Sequence, residues 1–275
     1  MPEREGEQMS VAWATLRRTW TMTGRAYPWS YAVGCLLIGV FTLGLSYLGL
    51  HAIGGGSVAE DFTARTGGAD YLGYIAIGAA GYMFTVRMLL WSSKALITEQ
   101  RQGTLAALLI APAGRLPYLL GFTGFALLNT AVEVGLLGGF AAVLGVTLPA
   151  WHPLAALAGV LALTAAVFAV AVVLGALMIV AGEAHISQNT VFLAVSLLCG
   201  ITFPNSYLPA PARWLAELLP VTSAMDVLRD ALGQGRPLAE LAPRLVTCLA
   251  LSAGYLLLGL RLLPAAERRA VERSF

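Results

Sequence analysis

The run LAALAGVLALTAAVFAVAVVLGALMIVAG, residues 154–182, contains no Asp, Glu, Lys, Arg or His. A soluble domain carries about 25% charged residues, so so long an uncharged stretch belongs to a different solvent. As a helix it would extend about 43 Å, which exceeds the roughly 30 Å of bilayer hydrocarbon. It is therefore expected to tilt or to project beyond the hydrocarbon. The whole chain agrees with this reading: 58% of its 275 residues are hydrophobic and 12% are charged.

Working outward from that run, five further apolar stretches are separated by charge, glycine or proline. Expected spans cover residues 30–50, 71–97, 116–148, 154–182, 186–203 and 244–263. No stretch of about ten residues alternates in polarity as a barrel strand would. The sequence thus predicts an all-α polytopic membrane protein with a single six-span domain over residues 30–263. Residues 1–29 precede it and a basic tail, 264–275, follows. Met9, Trp13, Leu16 and Trp20 recur at helical spacing before the first span, with Arg17 and Arg18 off that face. A basic, Trp-bearing helix of this kind suits the plane of the membrane interface. Pro204, Pro209, Pro211, Pro220, Pro237 and Pro243 divide the segment between the last two spans into short helices. In one of these Met225, Leu228 and Leu232 form an inner face, while Asp226, Arg229 and Asp230 are expected to point away.

Charge orients the chain. With both termini cytoplasmic, that side carries Arg4, Arg17, Arg18, Arg25, Lys94, Arg101, Arg115, Arg261, Arg268, Arg269 and Arg273. The other side carries Arg65, Arg213, Arg229, Arg236 and Arg244. The excess of cations inside is the expected one.

The chemistry of an enzyme is missing. A phosphate-cradling P-loop needs Lys followed by Ser or Thr, but the single lysine, Lys94, precedes Ala95. His51, His152 and His185 are far apart in sequence. Cys35, Cys199 and Cys248 lie inside apolar runs, where they read as small hydrophobic residues. No metal site is expected, and no catalytic residues are assigned.

Two further features carry more specific information. Glu99-Gln-Arg-Gln-Gly-Thr-Leu105 is a charged, glycine-bearing island between the second and third spans. Gly200-Ile-Thr-Phe-Pro204 closes the fifth span and is followed by Leu208-Pro209, Trp214-Leu215, Leu218-Leu219-Pro220 and Leu228-Arg229. In this order, behind an interfacial N-terminal helix, they resemble the type-2 ABC exporter permease family over nearly the whole chain. The resemblance implies a subunit of the bacterial inner membrane that pairs with a second permease, identical or paralogous. Each would dock on a separate ATP-hydrolysing subunit, which would hold the ATP and Mg; no cofactor is expected on this chain, and no nucleic-acid partner. It also implies that Glu99, Gln100, Arg101, Gln102, Gly103, Thr104 and Leu105 form a cytoplasmic coupling helix. The block from Pro204 through Pro209 and Trp214 to Pro220 would form re-entrant outer helices. The Gln100-Arg101-Gln102 triplet departs from the family, whose members often carry more charge there.

Physical chemistry gives the same segment a consistent role. Glu99 and Arg101 offer charge to a partner, Gly103 permits a tight bend, and Thr104 can cap a following helix. Inside the spans, Glu133 is a costly carboxylate and, with Phe203, a pathway residue by expectation. By helical rise, Glu133 lies about 27 Å beyond Arg115 and Arg87 about 15 Å before Ile97. The two are not expected to meet, and Arg87 is expected to snorkel toward the cytoplasmic interface. Gly135, Gly138 and Gly139 form a small-residue row suited to close helix contact. The expected activity is export of a hydrophobic or amphipathic substrate such as a drug, natural product or lipid-linked molecule. The alternative is an ATP-independent channel or membrane assembly factor.

Overall fold

A computed structural model describes residues 2–26, 30–48, 50–51, 62, 66, 70–104, 108, 115–146, 151–181, 185–200 and 204–272. Their regular structure is entirely helical: α1 (Pro2–Ala26), α2 (Ser30–Leu48), α3 (Tyr71–Arg101), α4 (Arg115–Val143), α5 (Pro153–Ala181), α6 (His185–Leu198), α7 (Ala210–Glu217), α8 (Pro220–Gly233) and α9 (Leu238–Glu272), with one 3-10 turn at Asn205–Tyr207. Leu105 and Phe203 lie outside the described residues, as does most of the segment between α2 and α3.

The uncharged run becomes α5, and its uniform apolarity has a structural cause. A helix apolar on every side meets only protein or lipid. α5 buries most of its surface in the protein and leaves Leu154, Leu157, Leu161 and Leu177 exposed. α5 is lined by α3, α8 and α9, with α6 at a further edge. Ala162, Leu163, Ala166, Val167, Val170 and Ala171 of α5 form the middle of the main core. Met88 and Leu89 of α3 and Val221 and Met225 of α8 close around them.

Four described helices are long and apolar enough to cross a membrane: α3, α4, α5 and the part of α9 from Leu238 to Ala266. Two shorter apolar pieces, Gly39–Leu48 in α2 and Asn189–Leu198 in α6, accompany them. Several expected boundaries are corrected. α3 runs on to Arg101 rather than stopping at Ile97. α6 has 14 residues, about 21 Å of helix, where a longer fifth span was expected. Gly200, at φ 64°, turns the chain just beyond it. α9 passes through both Pro243 and Pro264 into the basic tail, so neither proline ends it.

Other prolines among the described residues mark where helices begin. Pro153 and Pro220 open α5 and α8, and Pro211 lies in the first turn of α7. There the missing N–H has no intrahelical acceptor in any case. α1 docks along α4, where a Cβ added at Gly121 would sit 2.5 Å from the Ala12 carbonyl oxygen. Thr15 and Thr19 are buried on this side. Met9, Trp13 and Trp20, the residues whose spacing announced the helix, are exposed. Leu16, the fourth member of that stripe, is half-buried against Gly124, and the Trp20 ring meets Phe125 of α4 edge-on, so only part of the stripe is free of the protein.

Candidate functional site

α3 carries polar groups at three levels, and each ties it to different neighbours. At its C-terminal end Gly103, at φ 73°, adopts the left-handed conformation that favours glycine. The Thr104 N–H reaches the Glu99 carbonyl at 3.0 Å and the Gly103 N–H reaches the Gln100 carbonyl at 3.1 Å. This is a Schellman closure, which satisfies carbonyls that a helix end otherwise leaves open. The Thr104 carbonyl then accepts the Leu108 N–H at 3.1 Å, one helical turn further on.

The Glu99 side chain turns into this corner and is only 5% exposed. Its Oε1 accepts from Arg18 Nη1 of α1 at 3.2 Å and from the Tyr118 hydroxyl of α4 at 2.8 Å. Its Oε2 accepts from the Thr104 hydroxyl. Glu99 therefore joins α1, α3, α4 and the turn, and its charge is used within the chain. Arg101, Gln102, Gly103 and Thr104 are exposed beside it, while Gln100 is half-buried. Neither Arg18 nor Tyr118 could be found from sequence. They lie 81 and 19 residues from Glu99, with no spacing that links them.

At mid-height Arg87 and Glu133 form a direct ion pair, contrary to the expectation from depth. Arg87 Nε donates to Glu133 Oε2 at 2.9 Å, and Arg87 Nη2 donates to Oε1. Asn129 Nδ2 donates to Oε1 at 3.1 Å. The side chains are 3% and 2% exposed, so Arg87 does not snorkel. The error lay in the helix end. Measured from Arg101, Arg87 is about 21 Å deep, which narrows the mismatch with Glu133 to about 6 Å. An arginine side chain spans such a gap.

At the N-terminal end of α3, Asp70 caps the helix by accepting the Gly73 N–H at 2.7 Å. Tyr74 lies under the Arg229 guanidinium of α8, 3.9 Å from ring centroid to Cζ. Arg229 and Asp230 are buried, which corrects the outward orientation expected for them. Asp230 accepts from Arg244 of α9 at 2.7 Å and lies 3.5 Å from Arg236. Burial raises the Asp226 carboxyl above its usual range, with Arg244 and Arg229 opposing and Asp230 adding to the rise. Burial also lowers Arg229, partly offset by Tyr74 and Asp226. α8 therefore buries both its faces, against α3, α5 and α9.

Of the residues expected at an outer gate, Pro204 and Pro220 are buried, while Pro209 and Trp214 are exposed. α7 buries only Ala216, whose carbonyl accepts the Thr222 hydroxyl at 2.6 Å. An apolar cavity of about 270 Å³ lies between α3, α4, α5 and α8, bordered by Phe84, Val134, Leu163 and Leu228. A Cβ added at Gly135, Gly138 or Gly139 would meet no atom within 4 Å, so this row is not used for packing among the described residues.

The ABC-2 type transporter family matches residues 9–232, from α1 to within one residue of the end of α8. The chain belongs to this family. Comparison with curated proteins gives no match. As an ABC-2 permease it is a membrane protein of a family whose members are generally non-enzymatic subunits working with an ATPase. The family match ends before α9, the helix that packs along the length of α5.

Proposed function

We propose that this ABC-2 permease forms the translocation path of an ATP-driven exporter, with ATP and Mg held by a separate nucleotide-binding subunit. The observation that carries the reading is the end of α3. A coupling element must transmit force, so it needs a rigid base and an exposed polar tip. The Glu99 bonds to Arg18, Tyr118 and Thr104 supply the base. Exposed Arg101, Gln102, Gly103 and Thr104 supply the tip, with Leu105 continuing the segment. In this reading Glu99 positions the tip and Arg101 meets the partner.

The same proposal makes α2 and α6, with their flanking residues, the first and fifth of six spans, and leaves both termini in the cytoplasm of a bacterial inner membrane. α1 lies at the interface, supported by its exposed Met9, Trp13 and Trp20. Pro204, Pro209, Trp214 and Pro220 border the outer gate, supported by the exposed apolar edge of α7. A second permease copy completes the path, and the open face at Gly135 and Gly139 supports such a pairing. Glu133 holds α4 against α3 beside the path. The apolar cavity next to Phe84 and Val134 supports a hydrophobic or amphipathic cargo.

The test is co-expression with the cognate ATPase subunit. Arg101→Glu should abolish co-purification and transport while leaving the melting temperature of the chain unchanged. Retention of both complex and transport in that variant would refute the coupling assignment.

A further inference from the structure

Between α1 and α3, near the C-terminal end of α3, lies a cavity of about 380 Å³ that the Glu99 corner does not fill. Arg18, Lys94, Thr19, Thr98 and Gln102 give it a polar wall, and Met22, Leu90, Trp91 and Phe122 give it an apolar one. Its size falls within the range of roughly 300–1,000 Å³ typical of small-ligand pockets. Its charge is unbalanced. Glu99 is present, but its oxygens already accept from Arg18, Tyr118 and Thr104. Lys94 is half-buried and makes no hydrogen bond or ion pair with any described residue. The cavity therefore holds Arg18 and Glu99 in mutual compensation and an ammonium with no carboxylate partner among the described residues.

The depth of Lys94 narrows the ligand. It lies seven residues, about 10 Å, inside the end of α3 at Arg101. Exposed Met22 of α1 lines the cleft and exposed Trp20 lies two residues before it in the same helix; Trp characteristically settles at the level of lipid headgroups. We propose that this cleft binds the phosphate of an anionic membrane phospholipid, with Lys94 and Arg18 on the phosphate and Met22, Leu90 and Phe122 against the start of the acyl chains. The hydroxyls of Thr19 and Thr98 and the Gln102 amide are the neutral partners for the glycerol and ester oxygens. An acidic loop of a protein partner would satisfy Lys94 but leave the apolar wall without a role, so the lipid is favoured. This inference goes beyond the transport reading and needs only the membrane residence of α1 and α3.

The experiment uses the full-length chain in a neutral detergent. Native mass spectrometry and thermal melting are followed on titration with phosphatidylglycerol, phosphatidylcholine or water-soluble glycerol 3-phosphate. Phosphatidylglycerol should bind and raise the melting temperature, while phosphatidylcholine and glycerol 3-phosphate should not. Each basic residue near an anionic membrane surface contributes about fivefold in affinity, so Lys94→Gln should weaken phosphatidylglycerol binding about fivefold and Lys94→Arg should preserve it. Gln102→Glu, at an exposed position, should weaken it similarly and guards against any folding defect at Lys94. Equal binding of the two lipids, or indifference to both Lys94→Gln and Gln102→Glu, would overturn the proposal. Saturation by glycerol 3-phosphate alone would assign the site to a soluble phosphate ester instead. If Lys94→Gln left lipid binding intact but reduced capture of the ATPase subunit, the surface would belong to a protein partner.

Discussion

Removing one member of the Arg87–Glu133 pair should be among the most damaging single changes available in this chain. Glu133→Ala leaves a guanidinium whose side chain is 3% exposed in contact with protein rather than water. It also removes two Arg87 bonds and the one from Asn129. Hydrogen bonds to charged groups contribute about 1.5–3 kcal/mol each, but desolvation of both ions offsets much of that. What remains after one partner is deleted is the cost of an uncompensated buried charge, about 3–5 kcal/mol. At about 2–4 °C per kcal/mol, Glu133→Ala should lower the melting temperature by about 6–20 °C. The assay is tryptophan fluorescence during a thermal ramp of the purified chain in detergent. Arg87→Met should be destabilising for the same reason, whereas Arg87→Met combined with Glu133→Leu should recover most of the loss. The reasoning fails if either single change costs under about 6 °C, the low end set by ~3 kcal/mol, or if the double variant melts no higher than the worse single one.

Three further outcomes follow from the Glu99 corner, the contact of α1 with α4, and α8. Glu99→Gln should lower stability by about 1–3 kcal/mol, because the neutral amide cannot serve the same buried donors. In limited proteolysis the same variant should open α1 at Arg17 and Arg18. Gly121→Leu drives a side chain into the Ala12 carbonyl, so it should increase α1 cleavage and, by drawing Arg18 away from Glu99, lower the melting temperature as well. Asp226→Asn should raise the melting temperature at neutral pH, and the gain should shrink on acidification. Burial raises the folded-state value of Asp226 above its usual carboxylate value of about 3.9, so the folded chain binds that proton more tightly than the unfolded chain. Ionisation above the raised value therefore costs stability, and that cost disappears as the pH falls through it. A gain that grew with acidification would contradict the assignment.

The fold class was legible because a bilayer imposes a one-dimensional rule. Length and apolarity sufficed to locate α3, α4, α5 and most of α9. Hydropathy was a poor guide to helix ends, since a helix can continue into polar sequence. Arg101 belongs to α3 for this reason, and assigning the end to Ile97 misplaced Arg87. Amphipathic spacing misled in a different way. In α8 it identified Met225 and Leu228 correctly, but not the burial of Arg229 and Asp230, whose partners Tyr74 and Arg244 lie on other helices.

The Glu99 segment shows the same division. Its sequence alone marked a bend at Gly103, which in the structure is the φ 73° closure of α3, with the Thr104 N–H donating to the Glu99 carbonyl. These are local facts, fixed by backbone sterics within a few residues. Tertiary structure decided where the Glu99 carboxylate goes. Arg18 and Tyr118 reach it from α1 and α4, and only the packing of those helices brings their donors within hydrogen-bond distance. The same holds for Arg87 and Glu133, where a residue's charge is written in the sequence but its partner depends on helix register. Chain connectivity sets apolar length; three-dimensional packing sets which buried charges meet.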